Sequence, residues 1–372
     1  MKRIFLVAGE SSGDLHGAHL VRALREADPE IVCEGLGGRR MFEAGMELRC
    51  NLAERAIMGF AEIVRSFPFV RALFHDTVKR LGESRPMVLV LIDYPGFNMR
   101  LAREAKRIGI PVVYYISPQV WAWKRGRVKT LANLVDKMLV IFPFEEAIYR
   151  EAGVDCVYVG HPLLDHIVTT PVSDRFAGDL LVGVLPGSRE QEIRRIAPVM
   201  LATARGIRER YPNARFAAPC VDAAREKQLR AVAGDFPLET VVGEVYDVLR
   251  GAHFCLVASG TATLETAYFN VPMAIVYKVA PLSYALARRL VRIEHIGMVN
   301  ILAGRRIVPE FVQHQARPER VLPAALELMG DTPARREMLA ALAEVKARLG
   351  EPGASRRAAT EILNVMGKAG HV

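Results

Sequence analysis

A series of short runs along the chain is apolar at nearly every position: residues 4–8, 87–92, 111–116 and 137–142 in the first half, and 180–185, 214–219, 254–258 and 273–277 in the second. Runs this short, rich in β-formers and without polar alternation, predict strands buried on both faces, as in a parallel sheet covered by helices. Residues 98–109, between two of them, are basic with helical spacing, and Gly109 followed by Pro111 closes that helix. Strand and helix repeated in this order predict an α/β chain built on doubly wound parallel sheets. From Pro333 onward Ala, Arg and Glu dominate, which predicts helix.

Two of the strands open alike. Residues 4–8 lead into Gly9-Glu10-Ser11-Ser12-Gly13-Asp14, and residues 180–185 into Pro186-Gly187-Ser188-Arg189. Small residues at such a turn let the N–H groups of a helix N-terminus face an anion or a polar ligand. Two openings half a chain apart predict two Rossmann-like domains facing a shared cleft. The length of 372 residues agrees, because single cores usually stop growing near about 250–300 residues. Val157-Tyr158-Val159-Gly160-His161-Pro162 closes the first half, and a polar stretch at 169–178 precedes the second opening strand. The expected domains are therefore 1–168 and 169–345, with 346–372 as a C-terminal helix able to pack back on the first.

Composition is that of an ordinary globular protein and changes this picture little. The net charge of +9 adds a question, since it suits nucleic acid, an anionic substrate or membrane lipid. Lys and Arg are interleaved with acids and no nucleic-acid motif is present, which argues against the first. Cys33, Cys50, Cys156, Cys220 and Cys255 lie far apart, with no Cys-x-x-Cys pair, and read as free thiols in a reducing compartment. The first apolar run is too short for a signal peptide, and none approaches the ~20 residues of a spanning helix. The expected location is the cytoplasm, with membrane contact left open.

Candidate chemistry gathers after the strands. Asp93 follows residues 87–92, ahead of Tyr94-Pro95-Gly96-Phe97-Asn98, at the strand end where open α/β sheets bind ligands. It reads either as a catalytic carboxylate or as a cap for the helix near Asn98. Glu10 and Asp14 carry the same two readings, with the cap preferred for Asp14. In the second half, Ser259-Gly260-Thr261-Ala262-Thr263-Leu264-Glu265 offers small residues, hydroxyls and a carboxylate at a helix start, suited to a diphosphate and a ribose. Its other reading is a helix capped by Ser259 or Thr261. Arg189 would reach a phosphate bidentately, and the pair of loops points to a nucleoside diphosphate. Neither loop is a dinucleotide fingerprint or a P-loop, which argues against nicotinamide cofactors and ATP hydrolysis. Trp121 and Trp123 read as braces or sugar platforms, and His161 as a general acid or a turn histidine. Nowhere do His, Cys, Asp and Glu gather at metal-ligand spacing.

One stretch has another character. Phe60, Ile63, Val64, Phe67, Val70, Leu73, Phe74, Val78 and Leu81 fall near helical spacing, with Phe69 and several basic residues among them. A basic amphipathic segment with aromatics suits a membrane interface or an acyl groove, although core helices share the pattern.

Taken in order, Val7-Ala8-Gly9-Glu10-Ser11-Ser12-Gly13-Asp14, Ile92-Asp93-Tyr94-Pro95-Gly96-Phe97-Asn98, Ser117-Pro118-Gln119-Val120-Trp121-Ala122-Trp123, Leu185-Pro186-Gly187-Ser188-Arg189 and Ser259-Gly260-Thr261-Ala262-Thr263-Leu264-Glu265 resemble the lipid-A-disaccharide synthase family. The resemblance runs collinearly from residue 1 to about 330. It implies a GT-B glycosyltransferase that is inverting, independent of metal and without a cofactor. The implied reaction joins the sugar of UDP-2,3-diacylglucosamine to 2,3-diacylglucosamine 1-phosphate, giving a β-1,6 disaccharide phosphate and UDP in lipid A and lipopolysaccharide biosynthesis. It also implies peripheral contact with anionic lipid at the cytoplasmic face of the bacterial inner membrane, and allows a homodimer with exchanged C-terminal elements.

Carried over by position, the implied base is Asp93, with Glu10 beside it. The UDP-sugar contacts fall on Gly187, Ser188, Arg189, Ser259, Gly260, Thr261, Ala262, Glu265 and Asn300, and the acceptor and membrane contacts on Ile63, Val64, Phe67, Phe69, Val70, Leu73 and Phe74. Gly96 stands where many relatives carry a second aspartate, and Met298-Val299 where a proline is common before Asn300. Three other readings compete. A UDP-sugar 2-epimerase shares the architecture, a nicotinamide dehydrogenase would need the missing fingerprint, and a solute-binding protein would carry a secretion signal.

Overall fold

The computed structural model describes residues 2–52, 67–118, 126–281, 284 and 294–369. The chain divides into two compact units, residues 1–168 with 351–372, and residues 169–350.

In the first unit, β1 (Arg3–Ala8), β2 (Val32–Gly37), β3 (Glu47–Asn51), β4 (Val88–Ile92), β5 (Val112–Tyr115), β6 (Lys137–Val140) and β7 (Cys156–Tyr158) form one sheet in the order β3-β2-β1-β4-β5-β6-β7. All its pairings are parallel. Every residue of β4, β5 and β6 is buried, as the unbroken apolar runs demand. On one side Phe5, Val7, Leu89, Leu91, Val112 and Tyr114 join Phe97, Leu101 and Leu131 in a common core. Each large side chain buried this way contributes about 1.5–3 kcal/mol against exposure.

The second unit holds β8 (Leu181–Leu185), β9 (Arg215–Cys220), β10 (Leu238–Val242), β11 (Ala252–Ala258), β12 (Met273–Tyr277) and β13 (Glu310–Val312), in the order β10-β9-β8-β11-β12-β13. These pairings are parallel as well. Each sheet therefore reverses its winding beside its own first strand, between β1 and β4 and between β8 and β11. Such a switch point leaves a crevice outside the carboxyl ends of the two strands.

Five strands escape the apolar-run criterion, one of them the three-residue β7. β2 carries the buried Glu34, which Arg49 and Arg80 neutralise at 2.8 and 2.9 Å. β3 is a polar edge strand, β10 is interrupted by Glu239 and Thr240, and β13 has three residues.

One expectation needs correction here. The return to the first unit begins at Glu351 rather than at 346, because the helix Pro333–Arg348 still belongs to the second unit. The returning helix, Ala354–Ala369, is anchored by the Asp165 carboxylate, which accepts from the N–H groups of Gly353, Ala354 and Ser355 at 2.5, 3.1 and 2.7 Å. Ala358, Ile362 and Met366 on this helix are buried. The amphipathic stretch shares its apolar side with the core. In the helix Phe67–Ser84, Val70, Leu73, Phe74 and Val78 pack against the core, with the Phe74 ring edge-on to Phe97 at 5.6 Å. Val70, Leu73 and Phe74, three residues assigned to acceptor or membrane, are thus partly buried against the core. Ile63 and Val64 lie outside the described residues, as does the Phe67 side chain. No described helix is long and apolar enough to cross a membrane.

Candidate active site

The first unit places Glu10 and Asp93 on neighbouring strand ends at its switch point. Ala8 and Ile92 are register partners in β1 and β4, so the residues after them emerge side by side. Gly9 is needed for this: the Tyr94 ring covers it, and a Cβ there would collide with that ring. Glu10 is exposed and occupies the N-cap position of the helix Ser11–Ala27, yet its side chain makes no capping bond. Asp93 is half-buried and also escapes the capping reading, because its helix, Pro95–Arg107, has Tyr94 at the N-cap. Burial first, and then the Glu10 charge, push the Asp93 carboxyl up to about 6, while the Tyr94 N–H works the other way. A carboxylate that titrates near neutrality beside a ligand crevice suits a general base.

The other first-half candidates resolve differently. Asp14 lies within the helix Ser11–Ala27 and caps another one: its carboxylate accepts from the N–H groups of Gly38, Arg40 and Met41 at 2.8, 3.1 and 3.1 Å. His161 is buried, its Nδ1 accepts from the Leu163 N–H at 3.1 Å, and burial pushes it down to about 4. It sits as a turn histidine, neutral near pH 7. Ser117, which opens the tryptophan-bearing segment, donates to Glu145 Oε1 at 2.6 Å, whereas Trp121 and Trp123 lie outside the described residues.

In the second unit, the register of Leu185 with Val257 brings the Gly187 loop and the Gly260 loop together. Arg189 is exposed at the N-cap of the helix Glu190–Arg210. The backbone N–H groups of Ser188 and Arg189, however, already donate to the Glu192 carboxylate at 3.0 and 3.1 Å. Gly187, at φ 109°, gives that carboxylate room, since a Cβ there would strike it. The sequence expectation of N–H groups open to a phosphate is therefore modified: an internal anion sits on them.

At the second loop the hydroxyls do not cap. Ser259 donates to the Ile296 carbonyl at 2.8 Å, Thr263 donates to the Gly260 carbonyl at 2.8 Å, and Thr261 at the N-cap makes no side-chain capping bond. Ala262 starts the helix Ala262–Tyr268, and Glu265 in its first turn accepts from the Tyr246 hydroxyl at 3.0 Å. Burial raises the Glu265 carboxyl.

Asn300 is corrected. It is fully buried: its Nδ2 donates to the Val308 carbonyl and Glu310 Oε1 at 2.9 and 2.8 Å, and its Oδ1 accepts from the Ile307 and Val308 N–H groups at 2.8 and 2.9 Å. Its amide has no position left for a nucleotide. It acts instead through Glu310, which also accepts from the N–H groups of Ile296 and Gly297 at 3.0 and 2.9 Å and so steadies the segment that Ser259 grips. Tyr246 and Glu310 had no signal in the sequence, because each meets its partner only through contacts distant in the chain, whereas Glu192 completes a local capping box three residues after Arg189 and was missed. Among the described residues no group of His, Cys, Asp and Glu is arranged to hold a metal ion.

Comparison with known proteins separates fold from family. Among solved structures, UDP-GlcNAc 2-epimerase from Neisseria meningitidis, bound to UDP-GlcNAc, is 12% identical with a TM-score of 0.64, over 98% of this chain and 100% of that one. The calicheamicin glycosyltransferase CalG4 is 17% identical with a TM-score of 0.62, over 99% of each chain. At such identities the likeness is one of fold, the GT-B arrangement of two parallel-sheet α/β domains. The sequence likeness is closer. A family profile described as lipid-A-disaccharide synthetase matches residues 4–361. Lipid-A-disaccharide synthase from Geobacter sulfurreducens is 43% identical over 375 residues, covering 98% of each chain. Epimerases share the architecture, but identity at this level over nearly the whole length decides the matter: the protein is a glycosyltransferase of the lipid-A-disaccharide synthase family.

Proposed function

We propose that the chain transfers the diacylated glucosamine of UDP-2,3-diacylglucosamine to 2,3-diacylglucosamine 1-phosphate by a single inverting displacement, with Asp93 as base. The acceptor hydroxyl attacks the anomeric carbon, its proton passes to the Asp93 carboxylate, and the bond from that carbon to the diphosphate oxygen breaks to release UDP. The observation that carries this reading is a half-buried carboxylate pushed up to about 6 at the switch-point end of β4, next to Glu10. Ionised near pH 7 but still basic, it matches the demand of the step. In the second unit the guanidinium of Arg189 and the helix start at Gly260 would take the developing charge on the diphosphate, and Glu265 would accept from the ribose. Asn300 serves this site only as a brace. Contact with anionic lipid at a membrane face, where diacylated substrates reside, belongs to the same proposal and fits the net charge of +9.

The test is mass spectrometry of the product formed from synthetic UDP-diacylglucosamine and the monosaccharide phosphate. A disaccharide monophosphate that forms with equimolar UDP supports the reading. Release of a free epimerised sugar overturns it.

A further inference from the structure

Asp93 and Tyr94 both have left-handed backbone, at φ 46° and 49°, and neither is glycine. Consecutive non-glycine residues in this region persist only where the surroundings over-determine them. The Asp93 carbonyl belongs to the peptide that joins the two. It accepts from the Tyr114 hydroxyl at 2.6 Å and from Asn98 Nδ2 at 2.7 Å. Asn98 Nδ2 also reaches the Ile92 carbonyl at 3.3 Å, and the Asp93 N–H donates to the Tyr115 carbonyl at 3.1 Å. Tyr114 comes from the neighbouring strand β5, and Asn98 from the helix Pro95–Arg107.

Neither side chain has a face for substrate, since both residues are 0% exposed. Nor is Asn98 there for its own satisfaction: its buried Oδ1 has no hydrogen-bond partner among the described residues. A buried amide with one end unmet is a cost to the fold, and the end that is met grips one carbonyl.

We propose that Asn98 and Tyr114 are positioning residues of the transfer reaction, whose shared hold on the Asp93 carbonyl fixes the left-handed turn and so aims the carboxylate. The inference rests on Asp93 acting as base. Without the two donors, the peptide between Asp93 and Tyr94 is free to relax toward ordinary negative φ, which swings the carboxylate away while leaving its charge and the second unit untouched. A misplacement of about 1 Å in such a group costs on the order of a hundredfold in rate.

The experiment is a double-mutant cycle of Tyr114→Phe and Asn98→Ala against Asp93→Asn, read by single-turnover rate and by UDP affinity. In the unaltered background each variant lowers the rate by roughly ten- to a hundredfold, with UDP affinity unchanged within about twofold. In the Asp93→Asn background neither lowers it further, because the group they aim is gone. Equal losses in both backgrounds, or full activity of Tyr114→Phe, overturn the inference while leaving Asp93 as base. Near-normal turnover of Asp93→Asn alone overturns the base assignment and, with it, the inference. Should Asn98→Ala fail to fold, Tyr114→Phe removes a single oxygen and decides the question by itself.

Discussion

At the scale of residues, the site is a matter of paired charges. Asp93 near 6, against an ordinary 3.8, means that ionisation destabilises the folded state: its favourable contribution is complete below 3.8 and lost as pH rises through about 6. Asp93→Asn, fixed in the neutral form, should therefore raise the melting temperature at pH 8, by on the order of 1–3 kcal/mol of stability, and lose that advantage near pH 4. Its turnover should fall by about two to four orders of magnitude with UDP binding intact. Paired melting curves and calorimetry check both; equal melting at pH 8 would argue against a desolvated carboxylate. Glu10→Gln should shift the acid limb of the rate profile downward, because the Glu10 charge helps raise Asp93. The Glu192 carboxylate on the Ser188 and Arg189 N–H groups gives a further expectation: Glu192→Gln should tighten UDP several-fold by removing a rival anion, and cost about 0.5–2 kcal/mol of the stability of its helix. Weaker UDP binding in that variant would show that Glu192 supports the ligand.

At the scale of elements, the helix Phe67–Ser84 has its tasks divided by residue. Phe74→Ser should cost about 1–3 kcal/mol, seen as a lower melting temperature, because its partly buried ring lies edge-on to Phe97 against the core. Phe67→Ser with Phe69→Ser tests lipid contact instead, and vesicle co-sedimentation equal to the parent would remove that role from the segment. The same helix shows what a sequence can yield. Its periodicity identified it correctly as amphipathic, but an apolar stripe has the same spacing whether it meets lipid or a neighbouring helix. Strands β4, β5, β6 and β8 were legible because burial on both faces leaves only apolar residues, whereas β2 was hidden by Glu34, whose charge is neutralised by arginines distant in the chain. The positions of Asp93 and Arg189 just after strand ends were legible, because the apolar runs that precede them mark where β4 and β8 stop. The status of Asn300 was not, since the bonds that bury it come from residues 307–310, which no local pattern links to it.

At the scale of the whole molecule, the two units differ in how the chain supplies them. The second is one continuous stretch, 169–350, and the first is closed by 351–372. A fragment of residues 169–350 should melt cooperatively and bind UDP. Residues 1–168 alone should expose the surface that Ala358, Ile362 and Met366 cover, and a peptide of residues 351–372 added in trans should suppress dye binding there. No effect of the peptide would mean that the helix anchored by Asp165 is dispensable. The anchor also sets an order of events during synthesis. The chain that leaves the ribosome first cannot finish its own unit until the last helix emerges, roughly 180 residues later, which at about 5–20 residues per second is on the order of ten to forty seconds. Throughout that interval the half carrying Asp93 keeps open the apolar patch that Ala358, Ile362 and Met366 later cover, while the half carrying Arg189 can complete itself without waiting.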